Sequence, residues 1–543
     1  MIPVHPSTAA SARPRRGARS AAAPLRAGEH VVVVGYGPVA ARFVEDAADL
    51  AAEGALRITV VGAEAEPAYN RVLVGEHAVG RTARDAMALS DPSALAAAGV
   101  EVLLGTTVVR LDRARRVLSL RDGAGAEREL AWDRLVLATG ARPNLPVLRG
   151  LNPDPAAYAH LPAGVTALRD LADAAAVRTV VARRGRVVVL GGGVLGLEAA
   201  LAAAEAGCPV RVVHHGPWPM TRSLDAAGGA LLDRALAGAG VEVVSSAQAR
   251  EVLLDDAGAF TGLALEDGRT LPGELLLLSV GVRARTELAE GAGLRTARGV
   301  LVDHELQADV EQRVFALGDC AEVLCRDPSC TVCPDRAGAG PSGLIGPGWR
   351  QAEWLAARFR AELQAVAGGG TAVVEPLVQG PEPAVRLKAR AVELACAGTV
   401  AGEPWQARPD GGSVVQWADG GAGGYLKLVL RPDRTLAGYV ALGLPRAAAE
   451  VGLLHERGTP VPADPGVLLR LDGVDAPAPA APGPEATVCS CAGVSAARIV
   501  RAVDDGADSL DAVRRTTRAS TGCGGCTDRV RRLVEEHAAR VPA

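Results

Sequence analysis

The chain has 543 residues, with 58 Lys and Arg against 62 Asp and Glu, so its net charge is −4 and its isoelectric point lies near 6.2. That length supports several domains with separate cores, and the charge balance gives no electrostatic footing for nucleic acid. No apolar run approaches the ~20 residues of a membrane span, and ten cysteines at largely metal-type spacings fit a soluble protein of the reducing cytoplasm better than a disulfide scaffold.

In chain order, residues 1–28 are rich in Ala, Arg, Pro and Ser without an apolar signal core and are expected to form a disordered arm. "HVVVVGYGPVAARFVED" then reads as a buried strand, a GxGxxA turn at Gly35, Gly37 and Ala40, and a helix. This is the dinucleotide fingerprint, in which glycines permit the tight turn and let a pyrophosphate approach the helix N-terminus. A second strand, "ALRITVVGAE", ends near Glu64, an acid placed to bind ribose hydroxyls although further from Gly35 than usual. "GRVVVLGGGVLGLEAALAAAEAGCPVRVVHHG" repeats the pattern with glycines Gly191, Gly193 and Gly196. Two such folds imply two nucleotides. After the second fold's second strand, where an acid would bind the adenosine ribose and repel a 2′-phosphate, the chain has His214 and His215. That substitution permits NADPH without requiring it, with Arg211 and Arg222 as candidate phosphate contacts.

"LVLATGARP" at Leu135 to Pro143 and "RVFALGDCAEV" at Arg313 to Val323 are strands breaking into small-residue turns. Cys320, Cys325, Cys330 and Cys333 follow in close order, and a second metal site, free or redox-sensing thiols and a disulfide are all open for them. Cys208 and Cys396 read as small apolar core residues. From Thr371 to about Leu471, alternating segments suggest a small α+β domain, and "VDAPAPAAPGPEA" at Val474 to Ala486 is a semi-rigid linker.

The tail carries Cys489 and Cys491 as CxC, a 31-residue interval, then Cys523 and Cys526 as CxxC in "STGCGGC". Two close thiolate pairs can enclose a metal centre, and the CxC spacing favours an iron–sulfur cluster over zinc. Ser495 and Ser509 are N-cap candidates for two short helices separated by Gly506, and a third helix follows Cys526. Arg514, Arg515, Arg518, Arg529, Arg531 and Arg532 flank the motif, either facing an acidic partner or lying on solvated helix faces.

The tail segment resembles the bacterioferritin-associated-ferredoxin type of 2Fe-2S domain, which implies a 2Fe-2S cluster on Cys489, Cys491, Cys523 and Cys526. The paired fingerprints with "ATG" and "GD" resemble the two-dinucleotide flavoproteins, in which the first fold holds FAD and an inserted second fold holds NAD(P)H. That likeness implies an α/β architecture: an FAD-binding fold over 29–150 and 283–360, an inserted NAD(P) fold over 151–282, a small α+β domain over 371–471, a linker over 474–486 and a helical cluster domain over 487–543. It places Thr139, Gly140 and Asp319 at the FAD, with Asp319 near its ribityl or phosphate region. "AEPAYNRVLV", "GGGVLGLEAA", "PWPMTRSLDAAGGALLDRAL" and "GVRARTELAEGAGL" are similar to the flavin half of NAD(P)H nitrite reductase large subunits and to assimilatory nitrate reductase electron-transfer subunits. Tyr69, Asn70 and Arg71 are thereby expected against the FAD, with a solvated loop as the alternative for Arg71. Gly343 to Trp349 should open a helix aimed at the isoalloxazine. Glu198 is either a nicotinamide or flavin contact or a helix-surface glutamate.

The resemblance implies an FAD-dependent NAD(P)H oxidoreductase that passes single electrons through a 2Fe-2S cluster, with a slight lean to NADH. No side chain is assigned a catalytic role, since positioning and potential tuning are the protein's share of such chemistry. The CxxxxxC and CxxxC pattern of siroheme enzymes is absent from these residues, and the first cysteine is Cys208, which leaves no dithiol in the first FAD segment, 29–150. The expected partner is a molybdenum nitrate reductase catalytic subunit; a siroheme nitrite reductase, an oxygenase-type partner and a redox-sensing role are the alternatives.

Overall fold

The computed structural model describes residues 24–152, 154, 160–308, 313–324, 340–370, 372, 374–377, 384–473, 483–522 and 524–538. The continuous valine runs form central strands of two parallel sheets, as expected for strands covered on both faces. In the first sheet the order is Val314–Ala316, Arg134–Leu137, His30–Val34, Arg57–Val61 and Val100–Leu103. In the second it is Val241–Val244, Val210–Val213, Val187–Leu190, Leu275–Leu278 and Val165–Thr166. Each sheet carries a three-stranded antiparallel meander, Thr107–Asp112 through Glu127–Ala131 in one case and Ala249–Leu254 through Thr270–Pro272 in the other.

The second sheet interrupts the first. Strand Ala141–Pro143 leaves the first unit and pairs antiparallel with the returning strand Val282–Ala284, after which Val314–Ala316 adds to the edge beside Arg134–Leu137. The 23-residue helix Ile345–Ala367 then packs on the fingerprint helix Pro38–Asp46. Phe359 meets Phe43 and Phe315 edge-on, with ring centroids 5.7 and 5.4 Å apart, a geometry aromatic quadrupoles favour.

A third, antiparallel sheet orders Val385–Lys388, Glu393–Gly398, Leu436–Leu442, Gly424–Leu430 and Ser413–Asp419. Its strand Gly424–Leu430 is buried at every residue, and the alternation sorts the two faces. Leu426, Leu428 and Leu430 join the core under helix Pro445–Arg457, while Tyr425 packs into the core of the second unit. Lys427, on that same face, is fully buried and its Nζ lies 2.7 Å from Asp225 Oδ2, to which the Tyr425 hydroxyl donates at 2.6 Å. Burial alone would raise the Asp225 carboxyl, but hydrogen bonds from Lys427, Tyr425 and the Gly228 N–H outweigh it and hold the pKa below the ordinary value. Asp225 also caps helix Ala226–Gly238, so one carboxylate fastens the third unit to the second. No helix among the described residues is long and apolar enough to cross a membrane.

At the C-terminus, hairpin Thr487–Cys489 with Val494–Ser495 leads into helices Ala496–Asp504, Leu510–Thr517 and Thr527–Ala538. Ser495 and Ser509 cap the first two, accepting from the Arg498 and Ala512 N–H groups. The arm before residue 24, most of the linker, Cys325, Cys330, Cys333 and Cys523 lie outside the described residues.

Candidate functional site

Both fingerprints show the same division of labour among their glycines. Gly35 has φ +101° and Gly191 φ +124°, and a Cβ on either would lie 2.3 or 2.1 Å from the carbonyl oxygen of Ala138 or Ser279. The first glycine of each turn therefore cannot carry a side chain. Gly196, the third in the second turn, would place a Cβ 2.5 Å from the Gly191 carbonyl oxygen, whereas Gly37 and Gly193 face open space. The cradle a nucleotide pyrophosphate needs is thus present at both helix N-termini, with Ala40 fully buried behind the first.

Around the first turn the structure gathers several of the expected residues. Glu64 accepts from the Tyr69 hydroxyl at 2.8 Å and pairs with Arg71. Arg71 reaches the Arg169 carbonyl, and Arg169 in turn stands 3.5 Å from Asp319. Thr139 donates to the Arg285 carbonyl at 2.8 Å, next to Gly140, whose φ is +71°. Cys320, beside Asp319, is fully buried and its thiol is 3.3 Å from the carbonyls of Leu137 and Leu317. Burial pushes that thiol's pKa up. It is packed as a core residue.

The tail docks on this same region. Cys489 and Cys491 bring their sulfurs to 3.6 Å; two sulfurs on one tetrahedral metal with bonds of about 2.3 Å would stand about 3.8 Å apart. Hydrogen bonding from Cys491 and Cys526 favours the Cys489 thiolate and lowers its pKa against the opposing effect of burial. Among the described residues no set of three or more His, Cys, Asp or Glu groups is drawn into a metal-holding cluster, and Cys523, the fourth of the expected ligands, lies outside them. The donor set suits a soft, thiolate-bound centre.

Three features of this docking have no local signature in the sequence. Asn70, 2% exposed, donates through Nδ2 to the carbonyls of Thr521 and Gly522, both at 2.7 Å, and its Oδ1 accepts from the Val72 N–H. Arg518, one of the six tail arginines expected either to face an acidic partner or to lie on solvated helix faces, pairs with Glu45 on the fingerprint helix. Arg514 and Arg531 likewise pair within the tail, with Asp511 and Asp528. Finally, a Cβ on Gly522 would lie 2.6 Å from Cys491 Sγ and 3.2 Å from the Trp349 ring, and one on Gly346 would lie 3.4 Å from Cys491 Cα. Trp349, which donates to the Pro38 carbonyl at 3.0 Å, and the first turn of helix Ile345–Ala367 therefore stand directly beside the CxC hairpin. A helix does open within Gly343 to Trp349, but the neighbour its first turn shows is the CxC hairpin, whereas the sequence resemblance aims it at the isoalloxazine; its positive dipole end thus lies beside the region where a thiolate-ligated anionic centre belongs.

In the second fold, Glu198 is half-buried on helix Val194–Glu205. His214 is buried, its ring 2.9 Å from where a Gly192 Cβ would stand and its Nε2 3.0 Å from Ser245 Oγ. Burial first, and the neighbouring His215 second, lower its pKa. Arg211, a candidate phosphate contact on spacing, is paired with Glu242 at 2.7 Å.

Comparisons with known proteins extend this reading. Residues 29–339 match the pyridine nucleotide-disulphide oxidoreductase family and residues 487–536 the BFD-like 2Fe-2S binding domain. The chain is 32% identical over 515 residues to the nitrite reductase NAD(P)H large subunit of Klebsiella oxytoca, covering 93% of this chain and 48% of that protein. It is 26% identical over 517 residues to the assimilatory nitrate reductase electron transfer subunit of Bacillus subtilis (strain 168), covering 93% and 59%. The chain thus spans about half the length of the curated relatives it matches. Among solved structures, the covalent putidaredoxin reductase–putidaredoxin complex shares the fold with a TM-score of 0.65 at 23% identity, over 81% of this chain and 96% of that one.

Proposed function

The chain belongs to the pyridine nucleotide-disulphide oxidoreductase family, and from that premise we propose that it oxidises NADH or NADPH and delivers the electrons singly to the catalytic subunit of an assimilatory nitrate reductase. FAD, when bound, accepts a hydride from the nicotinamide and releases electrons one at a time, the form in which a 2Fe-2S cluster takes them. The protein's own residues position and separate. Gly37 and Gly193 leave the openings for two pyrophosphates, Glu64 and Asp319 with their arginines border the first, and helix Ile345–Ala367 brings its N-terminal turn to the cluster hairpin. Residues 29–207 contain no cysteine, so a dithiol relay within that stretch has no residues to use.

The observation that carries the reading is the docking of the cluster domain on the flavin half, with Asn70 holding Thr521 and Gly522, Glu45 pairing with Arg518, and the turn from Gly346 to Trp349 lying beside Cys491 and Gly522. A cluster that only reported redox state would not need a seat at the first nucleotide fold. The nitrate reductase destination is supported by likeness to the electron transfer subunit over 93% of this chain; the nitrite reductase relatives support the second choice of acceptor.

The test is reconstitution. The purified holoprotein, a molybdenum nitrate reductase subunit and NADH or NADPH should together form nitrite from nitrate. The Cys523→Ser, Cys526→Ser double variant should still bleach its flavin with NAD(P)H but lose nitrite formation. Wild-type nitrite formation by the variant would remove the tail from the electron path. Failure of the wild type with this subunit, together with turnover with a siroheme nitrite reductase, would reassign the acceptor.

A further inference from the structure

We propose that the second nucleotide site is built to accept the 2′-phosphate of NADPH, with Arg222 and His215 as its contacts and His214 as the positioning residue that keeps a carboxylate out of the strand end. The inference deepens the function proposed above and rests on it. In a dinucleotide fold the acid closing the second strand bonds the adenosine ribose hydroxyls and repels a 2′-phosphate, while a nearby arginine accommodates one.

Strand register identifies which residue holds that place. Leu190 pairs with Val213, so His214 leaves the sheet beside Gly191, the first fingerprint glycine. Its ring is turned inward, over Gly192 and onto Ser245, and its lowered pKa makes it a neutral spacer at pH 7. A buried neutral ring in that position neither bonds a ribose diol as a carboxylate would nor repels a phosphate.

The surrounding acids are accounted for. No Asp or Glu occurs from His214 to Leu224, and Asp225 is occupied by Lys427, Tyr425 and the Gly228 N–H. Glu242, on the adjacent strand, is neutralised by Arg211. Asp233, on helix Ala226–Gly238, acts on His214 less than burial and His215 do.

The segment exposes His215, Pro217, Thr221 and Arg222, of which His215 and Arg222 carry the groups that can bind a phosphate. The loop that carries them is fastened over the fingerprint: the Met220 N–H donates to the Gly192 carbonyl and the Ser246 N–H to the Gly216 carbonyl, both at 2.8 Å. Arg222 therefore stands two residues from a point of contact with the nucleotide turn, in a stretch whose only permanently charged side chain is its own.

Direct binding tests this without turnover. Calorimetric titration of the holoprotein with NADP+ and NAD+ should give a Kd for NADP+ no more than about tenfold weaker than for NAD+. Arg222→Ala should raise the ratio of the NADP+ Kd to the NAD+ Kd by at least about fivefold, and His214→Glu by at least about tenfold. A larger wild-type preference for NAD+, or an Arg222→Ala ratio within about twofold of wild type, overturns the proposal. If His214→Glu does not fold, seen as loss of flavin absorbance, the exposed Arg222→Ala decides alone. Binding of neither nucleotide would instead refute the NAD(P)H reading beneath it.

Discussion

The two dinucleotide folds share their strands and glycine turns, yet the chain treats them in opposite ways. The first is enclosed: helix Ile345–Ala367 lies along its fingerprint helix, the cluster domain sits over Asn70, and Glu64 and Asp319 are each held by an arginine. The second is bordered by exposed residues, with Leu195 61% exposed in the first turn after Gly193 and His215 and Arg222 in the adjoining loop. The fingerprint alone does not say which nucleotide stays and which exchanges. Packing around it does. An enclosed site suits a resident cofactor and an open one a substrate that must leave after each hydride.

The sharpest way to break this comparison is to close each opening in turn. Gly37 and Gly193 both face open space, so a valine at either position clashes with an incoming pyrophosphate more than with the protein. Gly37→Val should yield protein without FAD, read as loss of the visible flavin spectrum, and with it all NAD(P)H oxidation. Gly193→Val should keep FAD but lose roughly a hundredfold in NAD(P)H oxidation, the scale of a displaced reactant. A Gly193→Val protein that lacks FAD yet binds nicotinamide nucleotide would show that the two folds exchange roles.

The attachment of the third unit gives the next largest effect. Lys427→Met leaves the half-buried Asp225 without its fully buried cation, and breaking a buried pair costs about 3–5 kcal/mol at most; chemical denaturation should show a loss approaching that, and Lys427→Met with Asp225→Asn should recover part of it. The acid dependence has a definite sign. Because the folded-state pKa of Asp225 is lowered, its contribution is full above about pH 4, the unfolded value, and fades as pH falls through the lowered folded value. Asp225→Asn should remove that part of the acid sensitivity.

The docking contacts sharpen the comparison from the other side. Asn70→Ala deletes two hydrogen bonds to the cluster domain, each worth about 1 kcal/mol net. Flavin reduction by NAD(P)H should be preserved, while single-turnover reduction of the cluster slows by roughly tenfold. Arg518→Gln, which weakens one partly buried pair while keeping a hydrogen-bond donor, should slow the same step only by about two- to threefold and more clearly at low salt. Equal slowing of flavin reduction in both variants would mean that they disturb the first fold rather than the docking.

Much of this organisation is legible from local pattern. Apolar runs ending in glycine turns locate both parallel sheets, and Ser495 and Ser509 are caps as their spacing suggests. What the pattern does not reveal is pairing across long separations. Asn70 and Gly522 are 452 residues apart, and neither has a neighbourhood that announces the other. Arg518 among five other arginines looks like a docking charge, and only the fold supplies Glu45. Lys427 in "GYLKLVL" reads as the polar side of a strand, yet that side is covered by the second unit and its charge is met by Asp225. Arg211 similarly has a partner the local pattern does not show, since adjacent parallel strands place it side by side with Glu242.

The seat of the cluster domain also bears on how tightly it must bind. Among the described residues its polar contacts with the first fold include those of Asn70 and Glu45, and a Pro- and Ala-rich stretch between Gly473 and Gly483 joins it covalently to the rest of the chain. A short tether makes docking a unimolecular event, with an effective local concentration of roughly millimolar. An intrinsic affinity that would fail between separate proteins is then sufficient to keep the hairpin seated for much of the time. Weak seating has a benefit in return, because a domain that releases readily can present the same thiolate face to an external acceptor and come back at a rate that does not depend on protein concentration.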